Sequence, residues 1–321
     1  MQVPHLLDVS IARTTNALAR AERVGDPALV FWAAMWRGET AARAGDIEEF
    51  DRCIEIHGSM AARLGQPIFD WGHTFSRGLR ALIAGDTDRA EELAAQALQI
   101  GTDSGQPDAA LIFGAQLMIV SGQRGTMSDL IPLIEQMADD APDISPWLFG
   151  SLLAKAHVEA GRIDDATRKL QEFEAAGFEM PLDQIWLTGM VDYAEAAIEC
   201  NNPRFAQPLF DLLAPWAGLL PATGASALAP VSLYLGGLAS VLGRYDEAEA
   251  FFAQSAEMSE RIGAKFFAAR TDLLLGRMLM SRREAGDADR ARAVLARARD
   301  AATTQKYANV QKLAEQELAG S

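Results

Sequence analysis

The sequence has little cysteine and no long apolar run. Cys53 and Cys200 are the two cysteines, and both fall within apolar helical patterns. Two isolated thiols exclude a disulfide-stapled fold and favour a reducing compartment, with both side chains packed as small hydrophobes. No stretch approaches the roughly 18 apolar residues of a membrane-spanning helix, and the first residues lack the features of a signal peptide. We therefore expect a cytoplasmic protein that binds no membrane.

Basic residues are outnumbered along the chain. There are 29 Lys and Arg against 44 Asp and Glu, which gives a net charge of −15. Such an acidic surface repels a phosphate backbone. We therefore expect no direct binding of nucleic acid by this chain.

Motifs that carry catalysis are also missing. The sequence has neither a glycine-rich phosphate loop ending in Lys nor a nucleophile elbow. The carboxylate pairs in GRIDDA and GRYDEA directly follow a turn glycine, which predicts helix N-terminal caps. The histidines fall in different segments without Cys or carboxylate at metal-ligand spacing; they are His5, His57, His73 and His157. We predict no enzyme, no cofactor and no metal site, and hence no ATP hydrolysis or cyclic nucleotide synthesis by the pure chain.

The clearest pattern present runs over residues 232–261 and reads as two helices joined by a turn. Leu235 and Gly236 lie in the first helix, Gly243 marks the turn, and Phe252 lies in the second helix. A small residue such as Gly236 allows the helices to approach closely, while Leu235 and Phe252 fill the space between them. This spacing is typical of a tetratricopeptide repeat.

The same pattern recurs along the chain. It predicts, among others, helices from Ile47 to Leu64, from Met127 to Met137 and from Leu182 to Glu199, and it makes Asp46 the expected N-cap of the helix that starts at Ile47. Turns fall at residues 45, 85, 122, 161, 201, 243 and 286, so that consecutive turns are 37 to 43 residues apart. Asn201 takes the place of glycine at its turn, where a positive φ is expected. The pattern predicts an all-α fold, a tetratricopeptide-like right-handed α-solenoid of about fourteen to sixteen helices, with about 70% helix and no sheet.

Composition divides the predicted array into three parts. Residues 1–214 form an N-terminal sub-array, residues 215–230 form a connection rich in Pro and Gly, and residues 231–321 hold the C-terminal repeats and a polar capping helix. The connection is either a hinge or an ordered loop that packs on the groove of the array.

The N-terminal sub-array is expected to start in the middle of a repeat. Residues 8–24 read as the second helix of a repeat without its first helix, which predicts a partly uncovered apolar face. Such a face would attach to the rest of a larger polypeptide, or to a second copy in a homodimer. The residues of that predicted face are Val9, Ala12, Leu18 and Val24.

Aromatic side chains crowd the first helices of neighbouring repeats. In a stacked array these helices line the concave surface, so the aromatics either fill the spaces between helices or form a groove for a peptide or a neighbouring domain. The crowded aromatics are Trp32, Trp36, Phe69, Trp71 and Phe75. Counting from the turn positions gives the candidate partner-binding residues of the inner face: Trp32, Met35, Glu39, Phe75, Leu79, Ile112, Gln116, Ser151, Lys155, Val191 and Glu195.

Residues 224–282, from GASALAPVSLYLGG to TDLLLGRMLMSR, also carry a family resemblance. This segment resembles the C-terminal tetratricopeptide-repeat region of large bacterial STAND-ATPase signalling regulators, which include LuxR-type transcriptional regulators and class III adenylate cyclase-like proteins. The resemblance implies a sensing and autoinhibitory surface that accompanies ATPase, cyclase or DNA-binding domains.

Two functions are compatible with these patterns. The first is a non-catalytic regulatory or sensor domain that binds a protein, a peptide or covalently linked domains of its own polypeptide. The second is a freestanding adaptor that scaffolds protein partners. An adaptor made as a whole protein would normally cap its N-terminal end, so the half repeat expected there favours the first.

Overall fold

The computed structural model describes residues 4–140 and 146–320, and the chain is helical throughout these ranges. Helices, with short 3-10 turns included, take in 81% of them, a larger share than the sequence predicts. No strand occurs in the described residues, and one isolated bridge joins Ala222 to Ala227. The predicted all-α class is therefore confirmed for this part of the chain.

The described ranges contain sixteen α-helices, within the predicted number. Their bounds are Leu7–Val24 (α1), Pro27–Arg43 (α2), Ile47–Leu64 (α3), Pro67–Ala84 (α4), Thr87–Asp103 (α5), Ala109–Arg124 (α6), Ile131–Asp140 (α7), Pro146–Glu159 (α8), Ile163–Ala175 (α9), Trp186–Glu199 (α10), Pro203–Leu213 (α11), Val231–Val241 (α12), Tyr245–Arg261 (α13), Lys265–Arg282 (α14), Asp287–Gln305 (α15) and Ala308–Gly320 (α16). Short 3-10 helices cover Pro4–Leu6, Met127–Leu130 and Ala214–Trp216.

Contacts divide the chain into two compact units. Unit 1 consists of Met1–Val120, Leu220–Leu228 and Arg261–Gly263. Unit 2 consists of Ser121–Leu219, Ala229–Glu260 and Ala264–Ser321. The segment over residues 215–230 therefore contributes to both units, and its residues 220–228 are ordered parts of unit 1.

Helices pack in consecutive pairs within each unit. In unit 1, α2 packs against α3 and α4 packs against α5, while α1 packs on α2. In unit 2, α8 pairs with α9, α10 with α11, and α14 with α15. The first helices of successive pairs also touch, because α10 contacts both α8 and α12, and α12 contacts α14. This arrangement is consistent with an α-solenoid.

Left-handed residues end the helices where the sequence predicts turns. Gly45 has φ 69° and Gly85 has φ 77°, values that a residue without Cβ adopts at little cost. Asn201 has φ 48°, so asparagine does replace glycine at that turn. Asp46 follows its turn as an N-cap, with a carboxylate oxygen that accepts a hydrogen bond from the Glu49 amide at 3.1 Å.

Helices approach each other closely where the sequence places glycine in a first helix. A Cβ built on Gly236 would lie 2.7 Å from two ring atoms of Phe252. On Gly276, a Cβ would lie 2.5 Å from Leu295. These distances leave no room for a side chain, so glycine is what allows α12 to meet α13 and α14 to meet α15.

Three local predictions are wrong in detail. The helix expected from Met127 begins as a 3-10 turn, and the helix expected from Leu182 begins at Trp186. The GRIDDA carboxylates do not cap α9, because its N-cap is Arg162 without a side-chain cap bond, while the aspartates lie in the first turn. There they favour the helix dipole instead.

The N-terminal helix α1 is more deeply packed than the sequence predicts. Leu18 is 4% exposed and belongs to a core cluster of unit 1. Its buried partners there are Ala21, Val30, Ala34 and Cys53. Val9, Ala12 and Val24 are exposed, so Leu18 does not share the uncovered face predicted for these four residues.

Among the described residues, no helix combines the length and the apolar character that crossing a membrane requires.

Candidate functional site

Helix α2 of unit 1 has one buried and one uncovered face. The helix begins at Pro27, with Asp26 as its N-cap. The Asp26 carboxylate accepts hydrogen bonds from the Ala28 and Leu29 amides, at 2.8 and 3.0 Å. Phe31 on the inner face is fully buried, with its ring centroid 4.9 Å from that of Phe69. Ring packing of this kind fixes the rotation of α2 about its own axis.

The uncovered face of α2 is apolar. Leu29 is 52% exposed and Trp36 is 46% exposed. Trp32 lies between them in sequence and is half-buried, with its ring centroid 5.2 Å from that of Phe31. Positions 29, 32 and 36 follow helical spacing, so the three side chains form one stripe. We call Leu29, Trp32 and Trp36 the α2 stripe.

The candidate residues in unit 1 are mostly covered. Gln116 is fully buried, and its side-chain amide donates to the Phe75 carbonyl at 2.8 Å, which links α6 to α4. The structure thus brings two candidates together through a hydrogen bond from a side chain to a main-chain carbonyl. Half-buried candidates are Trp32, Met35 and Ile112, and buried ones are Glu39, Phe75, Leu79 and Gln116.

The candidate residues in unit 2 include a pair that meets. Ser151 and Val191 are fully buried, and the Ser151 hydroxyl donates to the Leu148 carbonyl at 2.9 Å. Lys155 and Glu195 come within 3.5 Å, measured from Nζ to Oε2. Whether any of these candidates binds a partner stays a prediction.

Lys155 and Glu195 belong to a buried set of four charges, which we call the ion network. The Lys155 ammonium donates to Asp192 Oδ1 at 3.0 Å. The Arg270 guanidinium donates to Glu195 Oε1 at 2.6 Å. The Asp192 side chain is 1% exposed, and those of Lys155, Glu195 and Arg270 are 12–14% exposed. The network therefore connects α8, α10 and α14 inside unit 2.

Burial and neighbouring charge act against each other in the ion network. Burial disfavours the charged form of Lys155, but the Asp192 and Glu195 carboxylates outweigh it and raise the pKa of the ammonium. Burial also opposes ionisation of Glu195, yet Arg270 and Lys155 lower the pKa of that carboxyl. Burial raises the pKa of Asp192, with Lys155 acting in the opposite direction.

A second set of charges extends these contacts to the last helix. Arg277 Nη1 donates to Glu199 Oε1 at 3.0 Å, and Arg277 Nε donates to Glu317 Oε1 at 2.9 Å. These side chains are less covered than those of the ion network. Together the two sets tie α10 to α14 and α14 to α16, so their chemistry is suited to fixing the register of helices.

A histidine pair was missed by the sequence analysis. His57 on α3 and His73 on α4 face each other, with their Nδ1 atoms 3.2 Å apart. The signal was present in the spacing, because the two residues lie eight positions before and eight after Gly65. Within the described residues, no group of three or more His, Cys, Asp or Glu side chains could hold a metal ion.

Residues 220–228, which we call the strap, form an ordered non-helical part of unit 1. The Leu220 amide donates to the Arg43 carbonyl at the end of α2 at 2.9 Å. The strap turns back on itself at Thr223 and Ser226, where the Thr223 amide donates to the Ser226 carbonyl at 2.8 Å. Its apolar side chains are buried, Pro221 included, and Ala227 is fully buried. These contacts describe residues 220–228 alone, and the two alternatives for residues 215–230, a hinge or an ordered loop that packs on the groove, stay predictions.

Comparison with known proteins does not assign the chain to a family. No protein-family model matches the chain, and no curated protein matches it.

Proposed function

We propose that this chain is a non-catalytic regulatory or sensor module of a bacterial signalling or transcriptional regulator. In this proposal its helix pairs are tetratricopeptide-like repeats of a right-handed solenoid in the cytoplasm. The consecutive pairing of helices and the glycines at their close approaches support the repeat assignment. The resemblance of residues 224–282 to STAND-ATPase regulators supports the regulatory role.

The observation that carries the proposal is the α2 stripe. Two large apolar side chains, Leu29 and Trp36, are about half exposed on a helix whose opposite face is densely packed. Water contact with apolar surface is unfavourable, and a tryptophan supplies much of the binding energy where a partner covers it. The stripe therefore suits a protein or peptide partner, or a domain linked to this chain. A freestanding adaptor, which is the alternative function, would bind its protein partners through the same surface.

The net charge of the chain and the exposure of α1 bear on which partners it would bind. A net charge of −15 disfavours nucleic acid as the partner. The exposed residues Val9 and Val24 on α1 give a second apolar surface, through which a homodimer or a linked domain could attach.

A peptide selection tests the proposal. A displayed random-peptide library is selected on the whole chain and counter-selected on Trp36→Glu. We expect selected peptides to bind Trp36→Ala at least about tenfold more weakly than the unmodified chain, the loss typical of a truncated hot spot. Leu212→Ala removes an exposed apolar side chain of unit 2 and serves as the matched control, with unchanged binding expected.

Two results would overturn the proposal. One is a set of selected peptides that bind Trp36→Ala as tightly as the unmodified chain. The other is ATP hydrolysis or cyclic nucleotide synthesis that copurifies with the folded chain at constant specific activity, since the module is proposed to have no turnover of its own.

A further inference from the structure

We draw no further inference here: the strongest candidate, the side-chain cluster that the ion network forms with the buried Tyr234 in unit 2, belongs to the site already described, its charges are paired with one another within the chain, and nothing in the structure shows a ligand that reaches it.

Discussion

His57 and His73 face each other across α3 and α4 with their Nδ1 atoms 3.2 Å apart. At this distance one neutral ring donates its Nδ1 proton and the other accepts it. The Phe31 ring packs edge-on against His57, with centroids 5.4 Å apart, and His57 is 1% exposed. A proton added to His57 would therefore place a charge in an apolar environment.

We predict that acid destabilises unit 1 through this pair. Burial, reinforced by the His73 imidazole, lowers the pKa of His57 to about 3. Burial and the Arg77 guanidinium also lower the pKa of His73, against the Asp70 carboxylate. The unfolded chain takes up a proton near pH 6.5, but folded His57 stays neutral down to about pH 3. The free energy of unfolding should therefore fall as pH drops from 6.5, by up to about 1.4 kcal/mol per pH unit for one proton.

Urea unfolding at several pH values between 4 and 7 measures this slope. His57→Gln keeps a polar side chain but has no proton to take up, so its slope should be smaller by about one proton. His5→Gln changes an exposed histidine and should leave the slope as it is. An identical slope in His57→Gln and the unmodified chain would contradict the prediction.

The helices could be predicted from the sequence because the residues that determine where a helix ends lie close to that end. Turn glycines, the Asp46 cap and the spacing of apolar residues act within a few positions of the helix ends they determine. Helix α3 accordingly begins and ends where the sequence predicts, at Ile47 and Leu64. The helix expected from Leu182 starts late at Trp186 because residues before it form an irregular loop, in which Phe178 has φ 58°.

Contacts between distant helices could not be predicted in the same way. Arg270 meets Glu195 across 75 positions, and the repeat period alone does not tell which residues of stacked helices face each other. Position on the inner face was also an incomplete guide to exposure. Gln116 and Val191 are predicted there and are fully buried, because each is covered by its neighbours in the array. For residues 215–230 the sequence leaves two alternatives open, since small residues fit a hinge as well as a packed loop.

We predict that breaking one partner of the ion network destabilises unit 2 strongly. Asp192→Ala leaves the buried Lys155 ammonium without its closest carboxylate, and the free energy of unfolding should fall by about 3–5 kcal/mol. Replacing both residues, as Lys155→Met with Asp192→Leu, removes the uncompensated charge and should restore most of the loss. Denaturant titration of the single and double variants gives both values.

An exposed ion pair is the control for this experiment. Arg292 and Asp289 pair at 2.6 Å on the surface of α15, with both side chains more than half exposed. Arg292→Ala should change the free energy of unfolding by less than about 1 kcal/mol. A loss in Asp192→Ala no larger than that of Arg292→Ala would show that the network does not hold these helices.

We predict opposite effects of alanine at two helical glycines. Gly236→Ala places a methyl group 2.7 Å from the Phe252 ring and should cost about 1–3 kcal/mol through overpacking. Gly114 in α6 has no neighbour within 4 Å of a built Cβ, so Gly114→Ala should stabilise by up to about 1 kcal/mol through helix propensity. Thermal and urea unfolding compare the two variants. Adding Phe252→Leu to Gly236→Ala should recover part of the loss; no recovery would mean that the close approach is not the cause.

The last prediction concerns the turn between α10 and α11, where a left-handed residue other than glycine joins two helices. Asn201 has φ 48°, its amide donates to the Ile198 carbonyl at 3.0 Å, and its side chain is exposed. Most residues with a Cβ are strained in the left-handed region, whereas the short polar side chain of asparagine tolerates it. Asn201→Ala should therefore lower the free energy of unfolding by about 1 kcal/mol. Asn201→Gly should leave it equal or slightly higher. Urea titrations of both variants check the difference, and Gly161→Ala, at a turn with φ 71° and open space around a Cβ, should show a similar loss. If Asn201→Ala proves as stable as the unmodified chain, the turn does not depend on a left-handed residue, and the equivalence of asparagine with the repeated turn glycines fails.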